Sequence, residues 1–151
     1  MSALYYEDFE VGAEYETPGR TITETDIVQF AALTGDWNQI HTDEEYCKHT
    51  SYGQRIAHGL LGMAYIEGMK FRLGHFDGTA IASLGWSVTF PKPIFIGDTI
   101  RVRVKIASKR ETKKPDRGIL VEEVQIVNQR DEVVTEAEHT VMVKRRGAGS
   151  K

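Results

Sequence analysis

The sequence has 151 residues, of which 40% are hydrophobic and 27% charged, values that are typical of a globular protein with an apolar core. Its formal net charge of -3 at pH 7 argues against nucleic acid or an anionic membrane as a partner. There is one cysteine, Cys47, no signal-peptide pattern at the N-terminus, and no apolar run of the about 20 residues that cross a bilayer. We therefore expect a cytoplasmic chain with one domain over residues 1–146 and a disordered tail over residues 147–151.

Two short helices are predicted in the first third of the chain. The first begins at residues 23–26, where Thr23 and Asp26 resemble a capping box with Asp in place of Glu or Gln. Apolar residues then recur at helical spacing, and Gly35 can adopt the left-handed conformation that ends a helix. A second short helix is predicted to begin at Thr42.

The longest predicted helix covers residues 57–73, with Gly74 as its C-cap. Few of its positions are polar, so we expect this helix to be buried on most sides. Gly59, Gly62 and Gly68 each lower helix propensity by about 1 kcal/mol relative to Ala. We therefore expect another backbone or a ligand to approach the helix closely at these glycines.

From residue 79 onward the sequence changes to the patterns of β-strands. Residues 100–106 alternate strictly between apolar and charged side chains, which predicts one buried and one solvated face. The predicted strands cover residues 81–90, 100–106, 119–127 and 133–143. They are expected to form an antiparallel meander. Because only one helix is long enough to cover it, the expected fold class is α+β, with a curved sheet wrapped around that helix.

The densest group of candidate catalytic side chains lies in residues 33–41. Asp36 and His41 are five positions apart, so a loop rather than one helix face would bring them together. A carboxylate beside an imidazole is suited to proton transfer, because His titrates near neutrality and the carboxylate can accept a proton or orient a water. Asn38 could hold either group by a hydrogen bond. Considered singly, Asp36 as a helix cap and His41 as a structural histidine are the simpler interpretations.

A second group, residues 52–61, lies where the long helix begins. The first N–H groups of a helix are free, and its N-terminal end carries a partial positive charge. Gly59 would allow a carbonyl oxygen to approach its N–H, which is the arrangement of an oxyanion site. Packing of the helix against the sheet explains Gly59 about equally well from the local sequence.

These groups also carry a family resemblance. Residues 30–41, Phe-Ala-Ala-Leu-Thr-Gly-Asp-Trp-Asn-Gln-Ile-His, resemble the hydratase motif of MaoC-like dehydratases and (R)-specific enoyl-CoA hydratases. Residues 55–61 resemble the helix start of that family, and residues 90–100 resemble one of its strand signatures. Gln39 stands where the family motif usually has proline, so the loop is expected to be less rigid.

The resemblance implies a hotdog fold, usually dimeric, that acts without a cofactor on acyl thioesters of coenzyme A or of a carrier protein. It implies that Asp36 and His41 bind and activate water and that the Gly59 N–H polarises the thioester carbonyl. We place Asn38 among the substrate-binding residues. The expected reaction is a reversible syn addition of water across a trans-2-enoyl thioester, and the sequence leaves open which of Asp36 and His41 is base and which is acid.

Two alternative functions share the fold and the ligand: a hotdog acyl-CoA thioesterase, and a non-catalytic acyl-thioester binding protein. The complete Asp36-x-Asn38-x-x-His41 pattern argues against both. No metal site is expected, because the spacing of the nearby potential ligands matches no established pattern. The potential ligands considered are His41, Asp43, Glu44 and Cys47.

Three further expectations concern the surroundings of the site. Unpaired sheet edges predict a homodimer or a higher homo-oligomer. Large apolar residues are candidates to line the acyl pocket, namely Trp37, Met63, Tyr65, Phe71 and Trp86. Basic residues are candidates to meet the phosphates of coenzyme A, namely Arg101, Arg103, Lys105, Lys109, Arg110, Lys113, Lys114 and Arg117.

Overall fold

The computed structural model describes residues 3–147, so residues 148–151 of the predicted tail lie outside the described part of the chain. A short 3-10 helix, Tyr6–Asp8, comes first. The helices are α1 (Glu24–Thr34), α2 (Gln39–Thr42), α3 (Glu44–Cys47) and α4 (Gly59–Phe71). The strands are β1 (Glu14–Glu16), β2 (Arg20–Thr21), β3 (Ala80–Thr89), β4 (Thr99–Glu111), β5 (Arg117–Val127) and β6 (Val133–Lys144). Within residues 3–147 no helix has the length and apolar character needed to cross a membrane.

The strands form an antiparallel sheet in the order β1-β4-β5-β6-β3, and β2 pairs with β4. β4, β5 and β6 form a meander as predicted, but β3 pairs with β6 rather than with β4, so that part of the prediction is wrong. The connection of residues 90–98 leads the chain away from β3 to β4, three strands along the sheet. Pro91 and Pro93 favour the extended backbone of such a connection. This connection passes the start of α4, where Ile56 bridges to Phe95.

The main core lies between α4 and one face of the sheet. Ile100, Val102 and Val104 of β4 point into it and are almost fully buried, as the strict alternation predicted. α4 is less buried than predicted, because the sheet covers only one of its sides. Leu60 and Phe71, on its other side, are 66% and 62% exposed.

The glycines of α4 have different surroundings. A Cβ on Gly59 would lie 2.8 Å from the ring of Phe90, and a Cβ on Gly62 would lie 3.2 Å from the Cδ1 of Ile126. Both positions are closely approached, but by side chains rather than by the backbone or ligand that was predicted. A Cβ on Gly68 would meet no atom within 4 Å, so the prediction is wrong at that position.

The first third of the chain folds largely as its local sequence predicts. Thr23 and Asp26 form the reciprocal hydrogen bonds of a capping box, and Gly35 ends α1 in the left-handed region with φ 78°. The second predicted helix is instead two short helices. The side chain of Asn38 caps α2, and the side chain of Asp43 caps α3.

A buried ion pair lies between the C-terminal half of α4 and the sheet. Lys70 Nζ is 2.5 Å from a carboxylate oxygen of Glu122, and His139 Nδ1 lies 2.9 Å from the same oxygen. His139 Nε2 is 2.8 Å from the Oγ of Ser83, and Trp86 stacks on the imidazole at 3.9 Å. Burial by itself raises the pKa of Glu122, but the hydrogen bond from His139 and the charge of Lys70 outweigh burial and hold this pKa below its usual value.

Candidate active site

A cavity of about 400 Å³ lies where α2, the start of α4 and the connection after β3 meet. The Ala57 N–H donates to the Ile94 carbonyl at 2.8 Å, and the Ile56 N–H donates to the Ile40 carbonyl at 3.0 Å. These backbone hydrogen bonds fix the three segments relative to one another. The residues that line the cavity include His41, His58, Gly59, Leu60, Phe90 and Thr135.

Asp36 lies exposed on the loop between α1 and α2. Gly35 reverses the chain direction before it, and one carboxylate oxygen of Asp36 accepts the backbone N–H of Asn38 at 3.2 Å. A carboxylate oxygen of Asp36, a ring nitrogen of His41 and a ring nitrogen of His58 lie within 4.8 Å of one another. The structure therefore brings Asp36 and His41 together.

His41 lies on α2 rather than on a loop, and it is buried. Its Nδ1 is 2.7 Å from the carbonyl oxygen of Ile56. Because a carbonyl oxygen only accepts hydrogen bonds, Nδ1 carries the hydrogen, and Nε2 of the neutral ring keeps a lone pair. This tautomer leaves Nε2 as the ring atom that can accept a proton.

The protonation of His41 follows from its surroundings. Burial lowers the pKa of His41 below its ordinary value of 6.5. The hydrogen bond to the Ile56 carbonyl raises this pKa, whereas the neighbouring His58 lowers it, and burial is the dominant effect. His41 is therefore neutral near pH 7, which is the state required of a general base.

His58 was not predicted to take part in the site. It is 2% exposed, and its Nε2 donates to the backbone carbonyl of Asp36 at 2.9 Å. Its ring stacks on that of His41, with centroids 3.8 Å apart. Among the buried side-chain nitrogen and oxygen atoms of residues 3–147, Nδ1 of His58 is the one without a hydrogen-bond partner. The signal that could have identified His58 is its place directly before Gly59.

Gly59 is the first residue of α4, at the positive end of the helix dipole. Its N–H has no hydrogen-bond partner among the described residues, as expected for the first turn of a helix. The ring of Phe90 packs over its Cα, and both residues line the cavity that contains His41. The Gly59 N–H is therefore free to bind an acceptor in this cavity.

Asn38 and Gln39 are the other residues of the motif that lie between Asp36 and His41 and were expected to affect the loop. The Asn38 side chain accepts the N–H of Ile40 at 3.1 Å and so caps α2; it holds neither Asp36 nor His41, contrary to the prediction. Gln39 is the first residue of α2. Proline is favoured at that position because its missing N–H is not needed there, so a glutamine leaves the helix hydrogen bonds unchanged.

The residues predicted to surround the site can be compared with the lining of this cavity. None of the five large apolar residues expected to line the acyl pocket lines this cavity. Its apolar lining comes from Ile40, Tyr52, residues 56–60, residues 90–94 and Val134. None of the eight basic candidates for coenzyme A phosphates lines this cavity either. Arg101 and Arg103 both form salt bridges with Glu16 and Asp131.

Comparison with known sequences supports the predicted family. A sequence model of the MaoC like domain matches residues 8–128. The chain is 37% identical to a 3-hydroxybutyryl-CoA dehydratase of Methylorubrum extorquens over 108 residues. This alignment covers 71% of this chain and 66% of that protein. It is 34% identical over 150 residues to an (R)-specific enoyl-CoA hydratase of Rhodospirillum rubrum, which covers 95% of this chain and 94% of that protein.

Solved structures agree with this assignment. A MaoC-like dehydratase from Rhodospirillum rubrum superimposes with a TM-score of 0.85 at 28% identity, over 95% of this chain and 99% of that one. A Mycobacterium tuberculosis protein with a double hotdog fold superimposes with a TM-score of 0.85 over 99% of this chain and 46% of that one; at 18% identity this likeness shows the fold alone. The predicted α+β hotdog fold is confirmed. The chain belongs to the MaoC-like domain family.

Proposed function

We propose that the chain adds water reversibly across a trans-2-enoyl thioester of coenzyme A. The family and the names of the relatives confirm an enzyme of the hydratase/dehydratase type. The substrate and the catalytic roles of Asp36, His41 and Gly59 are the proposed part.

One observation carries the proposal: a neutral imidazole and a free helix N-terminal N–H line the same cavity. His41 supplies the imidazole, with a lone pair on Nε2, and Gly59 supplies the N–H. Hydration of an enoyl thioester needs these two groups, because water must lose a proton while negative charge develops on the thioester oxygen.

The proposed reaction proceeds on one face of the substrate. The Gly59 N–H donates a hydrogen bond to the thioester carbonyl, which makes the β carbon electrophilic. His41 Nε2 takes one proton from water, the Asp36 carboxylate holds the other hydrogen, and the water oxygen bonds to the β carbon. The proton on His41 then passes to the α carbon as the enolate collapses. This sequence gives syn addition and returns His41 to its neutral form.

Lys92 is proposed to contact the coenzyme A part of the substrate. Among the described residues that line the cavity, it is the one lysine or arginine. Its side chain is 51% exposed, and its ammonium lies 3.4 Å from a carboxylate oxygen of Glu132. A half-exposed ammonium with one weak partner can exchange that partner for a phosphate, since exposed ion pairs contribute little.

The proposal includes the domain bounds and the location of the enzyme. We propose that residues 1–146 form one domain and that the enzyme is cytoplasmic. Cys47 is free and buried, which fits a reducing compartment.

Crotonyl-CoA is the substrate that tests the proposal. The purified protein should remove the enoyl absorbance without releasing free thiol. Release of thiol would identify a thioesterase instead. No change in either signal, with crotonyl-CoA and with longer enoyl chains, would leave acyl-thioester binding as the function.

Variants test the assigned roles. His41→Ala should keep the fold and lower turnover by about 10²–10⁴-fold, the usual contribution of a general acid or base. Asp36→Asn should also keep the fold and lower turnover, because a neutral amide holds the hydrogen of the water more weakly than a carboxylate. Asp77→Asn and His49→Ala are matched controls, exposed and outside the cavity, and should retain full turnover. Near wild-type hydration by a folded Asp36→Asn or His41→Ala protein would disprove the corresponding role.

We further propose that two copies of the chain pair along β3. β3 is a ten-residue edge strand whose second side has no partner among the described residues. Ile81 and Leu84 on this strand are 37% and 47% exposed, and proteins usually cover such an edge. Phe90 follows β3 and packs on Gly59, so the proposed interface adjoins the cavity. Closed two-fold dimers are the commonest homo-oligomers.

Light scattering across a dilution series, with hydration measured at each step, tests the dimer. Leu84→Glu should dissociate the dimer and abolish hydration, because it places a charge on the β3 edge. Val11→Glu, at an exposed apolar position outside β3, should remain dimeric and active. A fully active monomer of 17.0 kDa would refute the proposed assembly.

A further inference from the structure

Ser83, His139 and Glu122 form a chain of hydrogen bonds, and none of them lines the cavity that contains His41. His139 Nε2 lies 2.8 Å from the Oγ of Ser83, and His139 Nδ1 lies 2.9 Å from a carboxylate oxygen of Glu122. The three residues come from β3, β6 and β5, so no contiguous sequence motif joins them. A hydroxyl, an imidazole and a carboxylate linked in this order are the arrangement of an activated nucleophile, in which the imidazole is the base and the carboxylate orients it.

The hydrogen bonds of His139 fix the tautomer that such a base requires. The pKa of Glu122 is held below its ordinary value, so its carboxylate is ionised and only accepts hydrogen bonds. Nδ1 of His139 therefore carries the hydrogen. The opposite tautomer would turn the Nδ1 lone pair toward this carboxylate in exchange for a hydrogen bond from Lys70, a longer contact of 3.4 Å. Nε2 consequently keeps the lone pair and accepts the hydroxyl hydrogen of Ser83.

The charges around His139 favour the uptake of a proton. Its Nδ1 lies 2.9 Å from a carboxylate oxygen of Glu122 and 3.9 Å from one of Glu67, whereas the Lys70 ammonium is 3.4 Å away. Two carboxylates and one ammonium leave a net negative charge beside the ring. This charge stabilises the imidazolium that forms when His139 takes the proton of Ser83.

The nucleophile is accessible although its base is buried. Ser83 is exposed, whereas His139 and Glu122 are each 1% exposed. The contact with His139, which also meets Lys70 of α4, places the Ser83 hydroxyl on the face of the sheet that carries α4. Pairing of two copies along β3 uses the backbone groups of the strand edge, while side chains stand on the faces of a sheet.

A cavity of about 160 Å³ adjoins the same imidazole. Its apolar lining comes from Phe71, Phe76, Ala80 and Val141. Pockets for drug-sized ligands measure about 300–1,000 Å³. This cavity therefore has room for a short acyl group and none for coenzyme A.

We propose that Ser83 is the nucleophile of a second reactive site, which hydrolyses esters of short carboxylic acids with His139 as base and Glu122 as the residue that positions it. Ser83 Oγ bonds to the ester carbonyl carbon while its proton passes to His139 Nε2. The bond from this carbon to the leaving alcohol oxygen then breaks, and the alcohol takes that proton. Water attacks the acyl-serine in the same way, which releases the acid and restores the hydroxyl of Ser83.

Covalent labelling of the full-length chain tests the nucleophile. A fluorophosphonate probe should bond through phosphorus to Ser83 Oγ with loss of fluoride, and peptide mass spectrometry should find the probe on Ser83. Ser83→Ala should lose the label, and its hydrolysis of p-nitrophenyl acetate should fall by at least about 10-fold. Ser87→Ala is the matched control, an exposed serine on the same strand, and should keep both.

The role of His139 is tested by the rate of labelling. His139→Gln should slow it by about 10²–10⁴-fold, the contribution of a general base. If this variant does not fold, Ser83→Cys replaces it. A thiol beside the imidazole should react with iodoacetamide at pH 7 at least about 10-fold faster than the thiol of Ser87→Cys, because the imidazole promotes the thiolate.

A wild-type chain without label on Ser83 overturns the site, as does a label that Ser83→Ala retains in full. Equal reactivity of Ser83→Cys and Ser87→Cys, or labelling that His139→Gln leaves unchanged, shows an ordinary exposed serine and also overturns it. Label on Ser83 without hydrolysis of p-nitrophenyl acetate refutes the ester hydrolysis. None of these measurements uses an enoyl thioester, so failure of this proposal leaves the proposed hydration standing.

Discussion

The imidazole rings of His41 and His58 stack with their centroids 3.8 Å apart and their planes inclined by 27°. His58 also donates a hydrogen bond to the backbone carbonyl of Asp36. One side chain thus contacts both Asp36 and His41. From sequence we expect loss of His58 to affect stability more than chemistry; these contacts make His58 a positioning residue as well.

Replacement of His58 should therefore affect the reaction. His58→Ala should lower kcat by about 10²-fold, the cost of misplacing catalytic groups by about 1 Å. His58→Gln retains an N–H for the Asp36 carbonyl and should recover most of the loss. The measurements are kcat and KM for crotonyl-CoA, with thermal unfolding of each variant. A lower Tm with unchanged kcat would mean that His58 is only structural.

The pH dependence of hydration should follow His41. Burial holds the pKa of His41 below 6.5, so the neutral base persists at pH values where an exposed histidine is already protonated. kcat/KM should therefore fall to half its maximum at a pH below 6.5. A half-maximal value at or above pH 6.5 would contradict the role of His41 as base.

The pH dependence of stability tests the lowered pKa of His41 independently of activity. The pKa of His41 is lower in the folded than in the unfolded chain, so the unfolded state binds more protons as the pH falls. The stabilisation from neutral His41 is complete above pH 6.5 and is lost at lower pH. His41→Ala should remove this part of the pH dependence in unfolding measurements.

Gly59 and Gly68 offer a matched pair of substitutions on α4. Gly59→Ala places a Cβ 2.8 Å from the ring of Phe90, so this ring, which lines the cavity, has to shift. We expect kcat/KM to fall by at least about 10-fold, toward the about 10²–10³-fold that loss of an oxyanion donor costs. Gly68→Ala meets no neighbour, so it should raise the free energy of unfolding by up to about 1 kcal/mol and leave the kinetics unchanged.

The double variant Gly59→Ala/Phe90→Ala separates two causes of a lower kcat/KM, namely a cavity blocked by the Phe90 ring and an oxyanion donor that the substrate can no longer reach. If the displaced ring blocks the cavity, removal of the ring should recover much of the lost kcat/KM. Full activity of the single Gly59→Ala variant would show that no close approach is needed at this point.

The buried ion pair of Lys70 and Glu122 should contribute strongly to stability. Glu122→Gln leaves the Lys70 ammonium buried without its buried carboxylate, and the nearest remaining carboxylate is the exposed Glu67 at 3.3 Å. Breaking a buried pair in this way costs about 3–5 kcal/mol in the free energy of unfolding. Glu123→Gln, on the same strand but exposed, should change it by no more than about 0.5 kcal/mol.

The ion pair of Lys70 and Glu122 should also make the stability of the protein sensitive to acid. Because the pKa of Glu122 is lower in the folded chain than its ordinary 4.5, its stabilisation is complete above pH 4.5 and is lost as the pH falls further. The difference in unfolding free energy between wild type and Glu122→Gln should therefore shrink below pH 4.5 in urea titrations. A difference that is constant with pH would mean that packing, rather than charge, explains the effect.

Local patterns in the sequence determined much of the fold. The capping box of Thr23 and Asp26, the helix stop at Gly35 and the alternation in residues 100–106 depend on neighbours a few positions away. Such patterns reflect backbone geometry and side-chain direction, which are the same in any protein. The hydratase motif likewise identified the family and the segment that contains Asp36, because its residues are contiguous.

Tertiary structure decided what lies next to that segment. The pairing of β3 with β6, the packing of Phe90 on Gly59 and the stacking of His58 on His41 join residues far apart in the chain. These contacts depend on the path of residues 90–98 past α4, and no period or spacing in the sequence encodes that path. The sequence by itself determined which chemical groups this protein carries. Only the folded chain decided their tautomers, burial and neighbours, because those depend on which segments pack together.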